Sequence, residues 1–157
     1  MKISENLRVE LFFKAREVIQ SRPPDFKVEG PEGTYLNRWH VINRNKWCGL
    51  YFHQFLHSDE DRALHDHPYM NMSVVLTSGY DEYLKSKVIR RMPGDIIFRL
   101  PSTPHRVALI NNQVVTTMFL MGPRIRQWGF HCPRGWVPWQ DFVQQIPGGN
   151  KSGKGCN

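Results

Sequence analysis

Residues 65–79 read His65-Asp66-His67-Pro68-Tyr69-Met70-Asn71-Met72-Ser73-Val74-Val75-Leu76-Thr77-Ser78-Gly79, and their opening triplet decides how the rest of the chain is read. Side chains alternate along a strand, so His65 and His67 face the same way and both imidazoles can reach one ion. Asp66 then faces elsewhere, in a place suited to an outer partner, and Pro68 ends the run. A His-x-His pair alone is weak support for a metal. His105 strengthens it, because it follows the stiff approach Pro101-Ser102-Thr103-Pro104 and opens a strand-like segment, HRVALI. The expected metal ligands are therefore His65, His67 and His105.

The surroundings of this stretch have the texture of strands. TYLNRWHVI, GLYFHQFLH, MSVVLTSGY, KVIRRM, DIIFRL, HRVALI and QVVTTMFLM are rich in β-branched and aromatic residues. Asn43–Asn45, Ser78-Gly79, Pro93-Gly94-Asp95 and Asn111-Asn112 separate several of them, and the last reads as a tight hairpin turn, since Asn tolerates positive φ. Upstream, Ser4 can cap a helix running to about Gln20, with Leu7, Leu11, Ala15 and Val18 at helical spacing and Arg22-Pro23-Pro24 as its stop. Downstream lies a Trp-rich segment with a short helix from Pro138. The expected fold is mainly β: an N-terminal helix over 1–24, one antiparallel β-barrel with a Trp-rich cap over 25–146, and a flexible tail over 147–157.

Composition narrows the class. With 157 residues, 40% hydrophobic and 22% charged, the chain fits one globular domain with a real core. No apolar run approaches the roughly 18–20 residues that cross a bilayer, and the charged N-terminal stretch is no secretory signal, so a cytoplasmic protein is expected. Cys48, Cys132 and Cys156 are scattered, which argues against a disulfide framework or a cysteine zinc site and makes Cys156 an exposed thiol. The net charge of +7 is spread widely. It suits a small anionic substrate, and it gives weaker support to nucleic acid as a partner.

The histidine segments resemble the motifs of the cupin superfamily. His65, His67 and Gly79 match two histidines and the closing glycine of its first motif; Met72 stands where a glutamate ligand is usual, and Asp59 where the first glycine is. Gly94 and His105 keep the spacing of the second motif, while the proline is displaced to Pro101, the inner glycine is missing and Leu109 replaces an asparagine. The resemblance covers about residues 34–121. It implies a small jelly-roll barrel with a metal in its mouth. Loss of the glutamate implies a three-histidine site like that of thiol dioxygenase-like cupins, with Fe(II) favoured by analogy over Zn, Ni or Mn. It also implies pairing into a homodimer.

Other residues compete for roles. His57-x-Asp59 with His105 or His131 would make a two-histidine, one-carboxylate set, and His53 and His57 share a strand face that can line a pocket. Arg38, Arg62, Arg99 and Arg106 lie near the expected barrel; Arg62 and Arg106 are the leading candidates to anchor an acidic substrate, although parity turns Arg106 away from His105. Trp128, Phe130, Trp136 and Trp139 surround Arg124, Arg126 and His131 and suit a cap over an open barrel end. The leading functional expectation is a metal-dependent dioxygenase. The alternatives are an isomerase, hydrolase or lyase using the metal as a Lewis acid, and a non-catalytic module that binds a ligand or nucleic acid.

Overall fold

The computed structural model describes residues 1–30, 33–58 and 63–156. The first helix, α1 (Glu5–Ser21), begins where the sequence indicates: the Ser4 side chain accepts from the Leu7 N–H at 3.3 Å. Capping of this kind contributes about 1 kcal/mol. After it the chain is almost entirely strands, numbered in chain order. The larger sheet runs β13 (Val143–Ile146), β14 (Gly149–Ser152), β1 (Phe26–Gly30), β2 (Gly33–Ile42), β3 (Gly49–Phe55), β10 (Val115–Met121), β5 (Asn71–Val75), β8 (Ile96–Arg99). The smaller runs β12 (Gly135–Pro138), β11 (Gly129–Cys132), β4 (Leu64–His65), β9 (His105–Leu109), β6 (Tyr80–Leu84), β7 (Val88–Arg91).

The single closed barrel expected from sequence is thus two separate sheets. From β3 onward the chain passes back and forth between them, so most turns cross from sheet to sheet. Asn111-Asn112 shows why turn chemistry alone misleads. Both residues have positive φ, 52° and 54°, as their type predicts, yet they join β9 to β10, which lie in different sheets and form no hairpin. Gly94, at φ 89°, makes the equivalent crossing between β7 and β8.

Strand alternation sorts the larger sheet's residues between two cores. Val75, Ile97 and Val115 face the smaller sheet and pack with Tyr80, Val107 and Leu109. Phe52, Met72, Val74, Ile96 and Met118 face outward and are covered by Leu11, Phe12, Ala15, Val18 and Ile19 of α1. The helix therefore buries its apolar stripe on the back of the sheet, away from the histidines.

The C-terminal part departs most from expectation. Residues 149–152, expected as tail, form β14, which pairs parallel to β1 and antiparallel to β13. Cys156 is not a free thiol: it is disulfide-bonded to Cys132 at the end of β11, and Cys48 is the free cysteine. The short helix α2 (Trp139–Phe142) follows Pro138 as expected. No helix among the described residues is long and apolar enough to cross a membrane.

Candidate metal centre

The trio is assembled by strand pairing. β4 is only two residues long, and its His65 is in register with Phe130 of β11 on one side and His105 of β9 on the other. His67 lies two residues further on, its N–H donating to the Pro101 carbonyl at 3.1 Å. The Nε2 atoms of His67 and His105 are 2.9 Å apart, and the ligand atoms of all three rings lie within 4.8 Å of one another. Two nitrogens each about 2.1 Å from one ion, at a right angle, stand about 3.0 Å apart, so the donor set fits a single transition metal.

The His67 and His105 rings are kept in the form that binds metal. Burial pushes His67 well below the usual imidazole range, and the neighbouring His105 and His65 add to the effect. Burial and the charge of Arg99 bring His105 down to about 3, against the opposing pull of Glu82. A neutral ring presents a lone pair to an ion without first losing a proton.

Glu82, which sequence reasoning missed, backs His105. Its Oε1 lies 3.2 Å from His105 Nδ1 in a bent approach and 2.6 Å from Arg99 Nε, while Oε2 lies 2.6 Å from Arg91 Nη2. Burial alone would raise its carboxyl, but His105, Arg99 and Arg91 hold it well below the usual carboxylate range. This contact favours the His105 tautomer whose Nε2 is free for metal. The signal was present in Tyr80-Asp81-Glu82: alternation puts Glu82 on the face of Tyr80, and both are buried. Met72, in the place of the motif's glutamate, points outward against α1. Its inward neighbours Asn71 and Ser73 instead meet the buried Arg99, at 3.5 and 3.2 Å.

Asp66 does have an outer role. Its buried carboxylate accepts from the Gly129 N–H at 2.9 Å and from Trp136 Nε1 at 3.0 Å, with His131 Nε2 and Arg126 Nη1 each 3.0 Å away. His131 therefore belongs to the Asp66 cluster and not to the trio. Arg126 Nη1 also reaches the carbonyls of His67 and Pro101, joining the two segments that carry His67 and His105. Gly129 is required here, because a Cβ would stand 2.1 Å from the Val137 carbonyl oxygen and 2.9 Å from the Trp136 ring.

The remaining candidates divide. His53 and His57 both line the cavity of ≈ 870 Å³ that the trio opens into, but neither joins the trio. Asp59 and Arg62 lie outside the described residues. The Arg106 guanidinium sits over the Tyr83 ring at 4.0 Å, as parity predicts, and Arg106 is not among the described residues that line the cavity. Arg38, Arg44, Arg99, Arg124 and Lys151 line the cavity, Arg99 being paired with Glu82, against one described acid in the lining, Glu29. Trp128, Phe130 and Trp139 close it as an aromatic cap, with Trp128 stacked on Trp139 at 5.7 Å.

No protein-family model and no curated protein sequence matches the chain. Solved structures do. A protein with a double-stranded β-helix domain from Klebsiella pneumoniae superposes with a TM-score of 0.53 at 15% identity, covering 74% of this chain and 92% of that one. A cupin-2 domain protein from Rhodospirillum rubrum gives 0.51 at 12% identity, covering 63% and 66%. The dimethylsulfoniopropionate (DMSP) lyase DddQ from Ruegeria pomeroyi gives 0.49 at 15% identity over 56% of this chain, and the match spans about half, 47%, of the lyase. At these identities the likeness is one of fold. The chain has the cupin, or double-stranded β-helix, fold.

Proposed function

We propose that the protein is a non-haem, three-histidine metal-dependent oxygenase that takes Fe(II) and acts on a small acidic substrate. The observation that carries this reading is the convergence of three imidazoles, with no carboxylate in their ligand group among the described residues, on a cavity rich in aromatic side chains. A redox-active ion held there would supply electron transfer to dioxygen and open coordination positions for substrate. His65, His67 and His105 are the residues that would hold it. Glu82 keeps the His105 ring turned with Nε2 toward the ion site. The cap tryptophans limit water, and the excess of cations in the cavity lining favours an anionic substrate over a neutral one.

Elemental analysis of protein purified without oxygen tests the site. About one metal per chain is expected, and His65→Ala or His105→Ala should empty it; full occupancy in both variants would sink the assignment. Oxygen uptake by the iron-loaded protein with a panel of carboxylic acids tests the reaction. Turnover with zinc or nickel and no oxygen uptake would instead assign Lewis-acid chemistry to the same histidines.

A further inference from the structure

Arg38 and His53 face each other across the β2–β3 pair and line the same cavity as the histidine trio. The Arg38 Nε–H donates to His53 Nε2 at 2.9 Å. The guanidinium carbon stands 5.0 Å from the ring centroids of both Phe26 and Tyr51. With one edge tied and two aromatic rings against it, the group is fixed in orientation. Its two Nη groups have no hydrogen-bond acceptor, and no carboxylate pairs with it, among the described residues. The other shielded arginines contrast with it: Arg22 meets Asp25, Arg91 and Arg99 meet Glu82, and Arg126 meets Asp66.

What holds Arg38 in place matters for its charge. A carboxylate there would cancel the positive charge as it oriented the group. His53 orients it without cancelling it, because the ring is only 4% exposed and burial, with the nearby charges of Arg38 and His40, keeps it neutral. A neutral imidazole accepting at Nε2 carries its proton on Nδ1, which leaves a further donor with no described partner. A half-buried, fixed cation whose amino groups meet no counter-charge among the described residues is suited to an incoming anion.

The path from this pair to the trio is apolar. The His53 ring stacks on Phe119 at 4.8 Å, and Phe119 also neighbours the His67 ring at 6.0 Å, with Tyr51 and Tyr69 beside it at 6.4 and 6.2 Å. Phe119 therefore lies between the His53 ring and the His67 ring.

We propose that Arg38, set by a neutral His53, is the anion anchor of this cavity, and that its ligand is a carboxylic acid with an apolar body lying along Phe119 toward the histidine trio. The proposal rests on reading the cavity as the substrate site. It does not depend on the metal or on the reaction, since its test uses neither.

Metal-free protein is titrated with 4-phenylbutyrate and with its neutral counterpart 4-phenylbutanol, followed by calorimetry and by fluorescence of the cap tryptophans. The acid should bind at least about tenfold more tightly than the alcohol, the strength of a charge-assisted hydrogen bond. Arg38→Gln should erase that preference and leave alcohol binding unchanged. His53→Gln, which keeps an acceptor for Arg38, should retain the preference; His53→Phe should weaken it. Every titration uses metal-free protein, so failure of the metal assignment would leave the anchor standing. Equal binding of acid and alcohol by wild type, no acid binding up to millimolar concentration, or an undiminished preference in a folded Arg38→Gln protein would each overturn it.

Discussion

Two buried carboxylates flank the histidine trio, and they do different work. Glu82 and Asp66 are each 1% exposed, and each is surrounded by donors. Glu82 lies 15 residues or more from every ligand in sequence, yet touches the His105 ring and is matched by two arginines. Asp66 sits between two ligands in sequence, yet its hydrogen bonds run to the β11–β12 hairpin through Gly129, His131 and Trp136. Nearness in sequence to a ligand is thus a poor guide to influence on it. Glu82 acts on a ligand's ring, whereas Asp66 fastens the ligand-bearing segment to the rest of the fold.

The sharpest way to break this contrast is Glu82→Ala. It strands the Arg99 guanidinium, itself 4% exposed, with no counter-charge. A loss of about 3–5 kcal/mol in chemical denaturation is expected. A loss below about 1 kcal/mol would mean that the Glu82–Arg99 pair is not what holds this side together.

Acid titration of the metal-free protein comes next. His105 is brought from 6.5 to about 3, and His53 and His67 are lowered in the same direction. Below pH about 6.5 the unfolded chain takes up protons that the folded chain refuses until far lower pH. Stability should therefore be full above about 6.5 and fall by several kcal/mol as pH drops toward 3. Glu82, also held low, adds to the loss at the acid end. A denaturation midpoint that does not move between pH 7 and 5 would contradict this.

The isosteric pair Glu82→Gln and Asp66→Asn sharpens the comparison. Glu82→Gln should lower metal affinity by about 10–100-fold, because it weakens the partner of a ligand ring. Asp66→Asn should cost about 1–3 kcal/mol of stability, from its charged donors, with a smaller effect on metal affinity. Equal ratios of the two effects in both variants would erase the distinction. The smallest change is expected from Arg106→Gln, which removes a guanidinium stacked over Tyr83: about 1 kcal/mol or less, with no effect on metal or acid binding.

These differences explain what the sequence could and could not disclose. His65 and His67 were legible because strand period places them together, and His105 because its spacing from Gly94 is a motif. The same parity argument correctly turned Arg106 away. Glu82 was not found, and Arg38 was named among four arginines without being singled out, since whether an inward side chain meets a distant site depends on which sheet its strand joins. That choice is made by long-range pairing and not by local propensity. Asn111-Asn112 carried the right dihedral preference and the wrong pairing for the same reason. Cys132 and Cys156 carry no spacing signal, and only the return of β14 beside β1 brings their Cα atoms to 5.5 Å. Arg62 and the Asp59 half of the rival ligand set lie outside the described residues.

The bond between those cysteines has a topological consequence. It converts 24 residues of sequence separation into a covalent ring that contains Trp136, Trp139 and β12 to β14, including Trp139, Gln145 and Lys151 of the cavity wall. Closing such a ring removes chain entropy worth about 3.5 kcal/mol from the opened state. One wall of the cavity can then breathe but cannot swing away. Whatever happens at the histidines, that stretch of the wall stays tied to the end of β11 by a covalent bond.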